Sequence, residues 1–179
     1  MMRRQIENMD LKAKIRNIPD FPVKGVQFKD ITTLLKDREA FRYSIDKIVK
    51  HCQKYSIDYI AGIEARGFII GSPVAYQLEL GFIPVRKPEK LPSEVERVAY
   101  QLEYGENILE IHKDAIQQGA RIMVVDDLLA TGGTTAAVFR LIEKLGGKVV
   151  GAAFIIELEF LNPRNKLKGY DIFSIVKYD

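Results

Sequence analysis

The run Ile122-Met-Val-Val125 is apolar throughout and stops at two adjacent carboxylates, Asp126 and Asp127. A turn of small and hydroxyl residues follows, Ala130-Thr-Gly-Gly-Thr-Thr135, and residues 136–145 carry the apolar spacing of a helix. Apolar run, special turn and helix in succession form a strand–loop–helix unit, the usual setting for a bound phosphate. Gly132 and Gly133 remove side chains that would hold a phosphate off the backbone, while Thr131, Thr134 and Thr135 add hydroxyl donors. The two carboxylates can accept hydrogen bonds from vicinal hydroxyls such as those of a ribose. Capping and turn geometry alone would account for a single Asp before such a turn. Two in succession repel each other, and burial strengthens the repulsion, so the unit reads as a sugar-phosphate site. No G-x-x-x-x-G-K-[ST] occurs and no G-x-G-x-x-G follows a strand, which excludes the Walker-type and dinucleotide loops.

The remaining pattern alternates strands with helices. A short amphipathic helix is expected near residues 6–16, and the prolines and glycine of residues 17–25 should break any regular element. The spacing predicts a helix over 39–55, a buried strand over 58–63, a helix from Gly67 to Leu80 and a strand over 82–85. Pro84 marks that last strand as an edge or a strand end. Residues 86–105 look irregular, residues 149–158 and 170–176 read as strands, and Gly146-Gly147 closes the helix after the loop. The class is therefore α/β, a mostly parallel twisted sheet with helices on both faces. Ligands of such sheets sit at the carboxyl ends of the strands, where Glu64-Ala-Arg-Gly67 and Asp126-Asp127 both fall.

With 179 residues the chain is of single-domain length, and 47% hydrophobic with 28% charged residues is ordinary for a soluble protein. A formal net charge of +3 is too small to argue for a nucleic-acid partner, and no apolar run reaches a membrane span. One cysteine, Cys52, favours a reducing compartment, and the polar residues 1–8 lack a signal core; a cytoplasmic location is expected. Met9 could serve as an alternative start. His51 and His112 lack metal-ligand spacing and read as structural.

The loop and its paired acids resemble the phosphoribosyl-diphosphate motif of the type I phosphoribosyltransferases, and the resemblance extends from Ile18 to Tyr178. It is carried by Pro-Asp-Phe-Pro at 19–22, Gly-Val-Gln-Phe-Lys-Asp-Ile at 25–31, Glu-Ala-Arg-Gly-Phe at 64–68 and Arg-Lys at 86–87. Lys-Leu-Pro at 90–92, Leu-Glu-Tyr-Gly at 102–105 and Ile-Glu-Leu at 156–158 complete it. The resemblance implies one domain over 1–179 with an N-terminal hood and a mobile flap at 86–105. It implies transfer of a 5-phosphoribosyl group from its 1-diphosphate to adenine, with Mg²⁺ bound mainly through the substrate, in a homodimer that uses neither nucleic acid nor membrane.

By the same resemblance Asp126 and Asp127 hold the ribose hydroxyls, and Ala130, Thr131, Gly132, Gly133 and Thr134 anchor the 5′-phosphate. Phe28 and Leu158 sandwich the base, whose edge the backbone of Gln27 and Lys29 reads. By pattern alone Phe28 could equally be a core aromatic and Leu158 ordinary core. Arg66, Arg86, Lys87 and Lys90 engage the diphosphate, with Arg86 reaching into the neighbouring subunit's site. The plainer alternative for Arg66 is a surface pair with Glu64. Glu103 is the candidate general acid–base group, and Tyr104 covers the reacting ribose and base. Glu89 stands where many relatives have glycine. Other bases, or a non-catalytic ligand sensor, are the competing functions; the sensor would need a DNA-binding module that the chain does not display.

Overall fold

The computed structural model describes residues 9–101 and 106–179, so Glu103 and Tyr104 lie outside the described residues. The chain divides into two compact units, residues 1–47 and 48–179.

In the first unit the expected amphipathic helix reduces, among the described residues, to a 3-10 turn over Lys12–Lys14. Asp10 accepts the Lys12 amide at 2.9 Å, a local turn that competes with helix, and only Leu11 and Ile15 are buried. Regular structure then appears where breakage was expected. Strand β1 (Arg16–Pro19) pairs antiparallel with β2 (Gln27–Asp30), placing Ile18 opposite Phe28, and Pro19 occupies the last position, where its missing amide matters least. Helix α1 (Thr32–Lys36), not anticipated, follows, and α2 (Arg38–Cys52) begins with Asp37 accepting the amides of Glu39 and Ala40.

The second unit begins within α2 and continues with β3 (Tyr59–Ile63), α3 (Arg66–Gln77) and β4 (Gly81–Val85). Residues 86–105 are not irregular throughout. They contain β5 (Val95–Gln101), which forms an antiparallel hairpin with β6 (Glu106–His112). Tyr100, Leu109 and Ile111 face the core, while Glu96 and Arg97 interrupt the apolar alternation that would have revealed the strand. The hairpin is tied to the end of β4 by reciprocal Arg86–Glu110 backbone bonds of 3.0 and 2.7 Å.

Next come β7 (Arg121–Leu129), α4 (Gly133–Lys144), β8 (Lys148–Leu158) and β9 (Asp171–Tyr178). Strand β7 does not stop at the carboxylates. It continues to Leu129 because β8 offers partners beyond them, Ile156 for Leu128 and Glu157 for Leu129. Helix α4 likewise starts earlier than the apolar pattern, at Gly133, and ends where Gly146 (φ +86°) and Gly147 bond back to Glu143 and Ile142.

The sheet order is β4-β3-β7-β8-β9, with every neighbouring pair parallel and the proline-bearing strand at one edge. From the central β3–β7 pair the chain crosses over toward β4 through α3 and toward β8 through α4. Right-handed crossovers in opposite directions place the two helices on opposite faces. Packing agrees. Ala61, Ile63, Ile122 and Val124 share a core with Ala137, Val138 and Leu141 of α4, whereas Ile60 and Gly62 lie beneath Gly71 of α3. No helix among the described residues is long and apolar enough to cross a membrane.

Asp30 is the electrostatic knot of the first unit. It accepts the Thr32 amide at 2.9 Å, the Thr32 hydroxyl at 2.7 Å and the Arg16 Nε at 3.0 Å. The Thr32 amide first, then the Arg16 guanidinium, hold its carboxyl down to about 2 against the push of burial. A carboxyl lowered on folding contributes stability above its unfolded value and loses it as pH falls through the folded one. Asp30→Asn should therefore cost about 1 kcal/mol at neutral pH, with the difference from the parent vanishing as pH approaches 2. Thermal unfolding across pH 2–7 checks both.

Candidate active site

Strands β3 and β7 lie side by side, yet the chain leaves them in opposite directions, so a crevice opens at their carboxyl ends. A cavity of about 520 Å³ occupies it. One wall is Ile63, Glu64 and Arg66, another is Asp126 to Gly132 with Thr134 and Thr135, and Lys87, Tyr100 and Leu109 close the side.

Arg66 is the first residue of α3, set by the short turn after β3, in which the Glu64–Ala65 peptide is cis. Its Nε stands 2.7 Å from Oδ2 of Asp127, whose side chain is 3% exposed. The alternative pairing of Arg66 with Glu64 is not what forms. Glu64 instead accepts Arg86 Nε at 2.8 Å and the Lys87 amide at 3.1 Å. Burial pushes the Glu64 carboxyl up, but those donors outweigh it and leave it below the ordinary range.

Asp126 accepts the Asp127 amide at 2.9 Å through its Oδ1. Burial, then the charge of Asp127, raise the Asp126 carboxyl well above the usual carboxylate range. Burial also raises Asp127, while the Arg66 guanidinium opposes the shift. The pair is thus an under-compensated acidic centre, stabilised by whatever brings hydroxyl donors or positive charge. Among the described residues no group of three or more His, Cys, Asp or Glu side chains is arranged to hold a metal. Two adjacent carboxylates fit a hard cation that keeps waters and ligand oxygens for most of its shell.

The loop beyond them is held by Gly132. Its φ is +76°, and a Cβ there would fall 2.5 Å from the Pro163 carbonyl oxygen, so both conformation and space require glycine. The first bond inside α4 is Ala136 N–H to Gly132 O, at 3.0 Å, which leaves the amides of Gly133, Thr134 and Thr135 at the helix start without intrahelical acceptors. Thr134 donates its hydroxyl to the Tyr100 phenol oxygen at 3.3 Å.

The crevice gathers Arg66, Lys87, Asp126, Asp127, Ala130, Thr131, Gly132 and Thr134 from the residues expected on sequence. Arg86, Lys90, Gly133 and Leu158 do not line it. Arg86 is instead bound to Glu64, and its Nη1 donates to the Lys90 carbonyl at 3.1 Å. Leu158 ends β8 with 9% exposure, next to Glu157, which Arg164 grips through two bonds of 2.7 and 2.8 Å.

Gln27, Phe28 and Lys29 belong to the first unit. There Phe28 is half-buried with the Phe21 ring edge-on at 5.1 Å, and Asn17 bridges the side chains of Gln27 and Lys29. Sequence reasoning passed over Tyr100, Leu109, Phe21 and Asn17. Only Phe21, inside a quoted motif, had a signal.

Known proteins resemble the chain over most of its length. Residues 31–176 match the phosphoribosyl transferase domain. A relative named adenine phosphoribosyltransferase, from Clostridium perfringens, is 60% identical over 171 residues, 96% of this chain and 99% of its own length. Another of that name, from Halothermothrix orenii, is 58% identical over 169 residues, 94% of this chain and 99% of its own length. The crystal structure of adenine phosphoribosyltransferase from Thermoanaerobacter pseudethanolicus matches with a TM-score of 0.92 at 55% identity, covering 94% of this chain and 98% of that one. The Saccharomyces cerevisiae enzyme, solved with an imino-altritol bisphosphate and adenine, matches at 0.88 and 38% identity, over 92% and 96% of the two chains.

A carboxyl raised on folding favours the fold below its unfolded value and penalises it as pH rises through the folded one. Asp126→Asn keeps the acceptor for the Asp127 amide and removes the repulsion. It should raise the unfolding midpoint at pH 7 by about 3 °C, roughly 1 kcal/mol for a chain of this size. The gain should shrink toward pH 4, and calorimetry at the two pH values measures it.

Proposed function

The chain belongs to the phosphoribosyl transferase family, and from that membership we infer that it transfers the 5-phosphoribosyl group from 5-phosphoribosyl 1-diphosphate to adenine. The products are AMP and diphosphate, a purine-salvage reaction. The observation that carries this reading is the crevice itself: a phosphate-sized helix start and a paired-carboxylate wall share one cavity with Arg66 and Lys87. The adenine-using relatives, similar over nearly the whole chain, point to the base.

In the reaction a ring nitrogen of adenine bonds to ribose C1, the C1–O bond to diphosphate breaks, and the nitrogen gives up its proton. Bond breaking runs ahead of attack, so positive charge builds on the ribose. Asp126 and Asp127 accept the 2′ and 3′ hydroxyls and favour that charge from a water-poor wall. The amides and hydroxyls of Ala130, Thr131, Gly132, Gly133 and Thr134 hold the 5′-phosphate away from the reacting bond, so their binding energy fixes orientation. Arg66 and Lys87, with Arg86 and Lys90 beside them, take the diphosphate.

Phe28, buttressed by Phe21, and Leu158 are the proposed faces of the adenine site, with backbone groups of Gln27 and Lys29 reading its edge. Glu103 is the proposed proton acceptor for the base and Tyr104 its cover. A Mg²⁺ arriving with the diphosphate would meet Asp126 and Asp127 and offset leaving-group charge. A cytoplasmic homodimer, with Arg86 serving the neighbouring site and the whole of 1–179 acting as one catalytic domain, completes the proposal.

Steady-state assays with labelled adenine, hypoxanthine and guanine should give AMP formation from adenine at a specificity at least about a hundredfold above the other bases. Comparable rates with hypoxanthine would overturn the choice of base. Asp127→Ala should lower kcat roughly 10²–10³-fold. Its unfolding midpoint should stay at or above the parent's, because a buried charge is removed while Arg66 remains hydrated.

A further inference from the structure

Tyr100 is the second-last residue of β5 and is paired with Asn107 across the hairpin, yet its side chain points away from solvent, at 9% exposure, into the wall of the catalytic cavity. Its ring packs in the apolar core with Leu109 and residues of α4. A phenol buried in such surroundings needs a partner for its hydroxyl. That partner is Thr134 Oγ1, at 3.3 Å, on the first turn of α4 beside the free amides of the helix start. This pair of hydroxyls joins the hairpin to the first turn of α4.

We propose that Tyr100 is a positioning residue for the phosphate group of the sugar substrate, acting through Thr134. Two hydroxyls carry two hydrogens, and only one is spent between them. In the structure Thr134 donates to Tyr100. When a phosphate oxygen occupies the helix start, the Thr134 hydrogen turns to it, and the Tyr100 O–H donates in its place to Thr134 Oγ1. Both oxygens stay satisfied and the chain is polarised toward the anion, which strengthens the terminal bond. The arrangement selects an anionic acceptor. A neutral sugar hydroxyl would draw the Thr134 hydrogen less and leave the relay unrewarded. Nothing in the relay touches the reacting bond, so its effect belongs to binding of the phosphorylated sugar and not to the chemical step.

The proposal rests on reading the loop as the 5′-phosphate site, and the test separates the two. Tyr100→Phe keeps the ring and removes the hydroxyl. It should raise KM for the sugar diphosphate about fivefold, leave KM for adenine and kcat within about twofold, and leave the unfolding midpoint within about 2 °C. Thr134→Val should raise the same KM by about tenfold or more, and in that background Tyr100→Phe should add nothing, because the relay has already been cut. An unchanged KM in Tyr100→Phe, or equal penalties with and without Thr134, would overturn the relay while leaving the phosphate loop standing. An unchanged KM in Thr134→Val would overturn the loop reading and the relay together. A rise in both KM values with a lowered midpoint would reduce Tyr100 to a packing residue and also end the proposal.

Discussion

Parallel pairing of β3 with β7 is the constraint on which the site depends. Parallel neighbours cannot be joined by a tight turn, so each must be left by a long crossover, and the handedness of crossovers is fixed. Because α3 returns toward β4 and α4 toward β8, neither helix covers the ends of the central pair. Residues at the ends of these strands are then delivered to one place from distant parts of the chain: Arg66 from the turn after β3 and Asp127 from the last residues of β7, 2.7 Å apart. The close seat of α3 on β3 makes this possible. A Cβ at Gly62 would fall 3.0 Å from the Gly67 carbonyl oxygen of α3, and Cβ atoms at Gly62 and Gly71 would meet the Phe82 ring at 2.5 and 2.9 Å, so a bulkier residue at either position would press on the seat of the helix that carries Arg66.

The core of the second unit was legible because strands buried on both faces are near-continuous apolar runs, as 59–63, 122–125 and 149–156 are. Helices α2, α3 and α4 were legible from their amphipathic spacing. What periodicity could not show is pairing. Strand β7 passes through two carboxylates because β8 supplies ladder partners on the far side, and the β5–β6 hairpin survives Glu96 and Arg97 because Arg97 faces outward while Glu96, on the opposite face, is paired with Lys144 of α4 at 2.7 Å. The β1–β2 ladder hid behind Pro19 for the same reason. Glu89 takes φ +63°, a left-handed conformation costing a side chain about 1 kcal/mol, which its residue type did not announce.

Within the site, legibility followed the chain's local grammar. Asp126, Asp127 and the loop to Thr134 form one contiguous motif whose chemistry can be read from residue type, and the structure gathers most of it around one cavity. The Arg66–Asp127 pair and the Tyr100–Thr134 contact join residues with no sequence spacing that could announce them. The roles given to Phe28, Leu158 and Glu103 came from family resemblance alone, since an aromatic in a short strand, a leucine at a strand end and a glutamate among charges have no distinctive pattern.

The Arg66–Asp127 pair also sets a condition on how the crevice can be filled. The guanidinium offsets part of the cost of burying Asp127, and its loss would leave a carboxylate at 3% exposure beside a second one. If the crevice binds the activated sugar as proposed, its diphosphate competes with Asp127 for Arg66, while its ribose hydroxyls compete with Arg66 for Asp127. Drawing Arg66 away alone would strand a buried carboxylate, whereas Arg66, 40% exposed, can turn to water. A ligand carrying both groups on adjacent carbons brings donors to the carboxylate as it takes the arginine; a free diphosphate takes the arginine and leaves Asp127 without one. On the proposed reading the ion pair would therefore favour the activated sugar over free diphosphate.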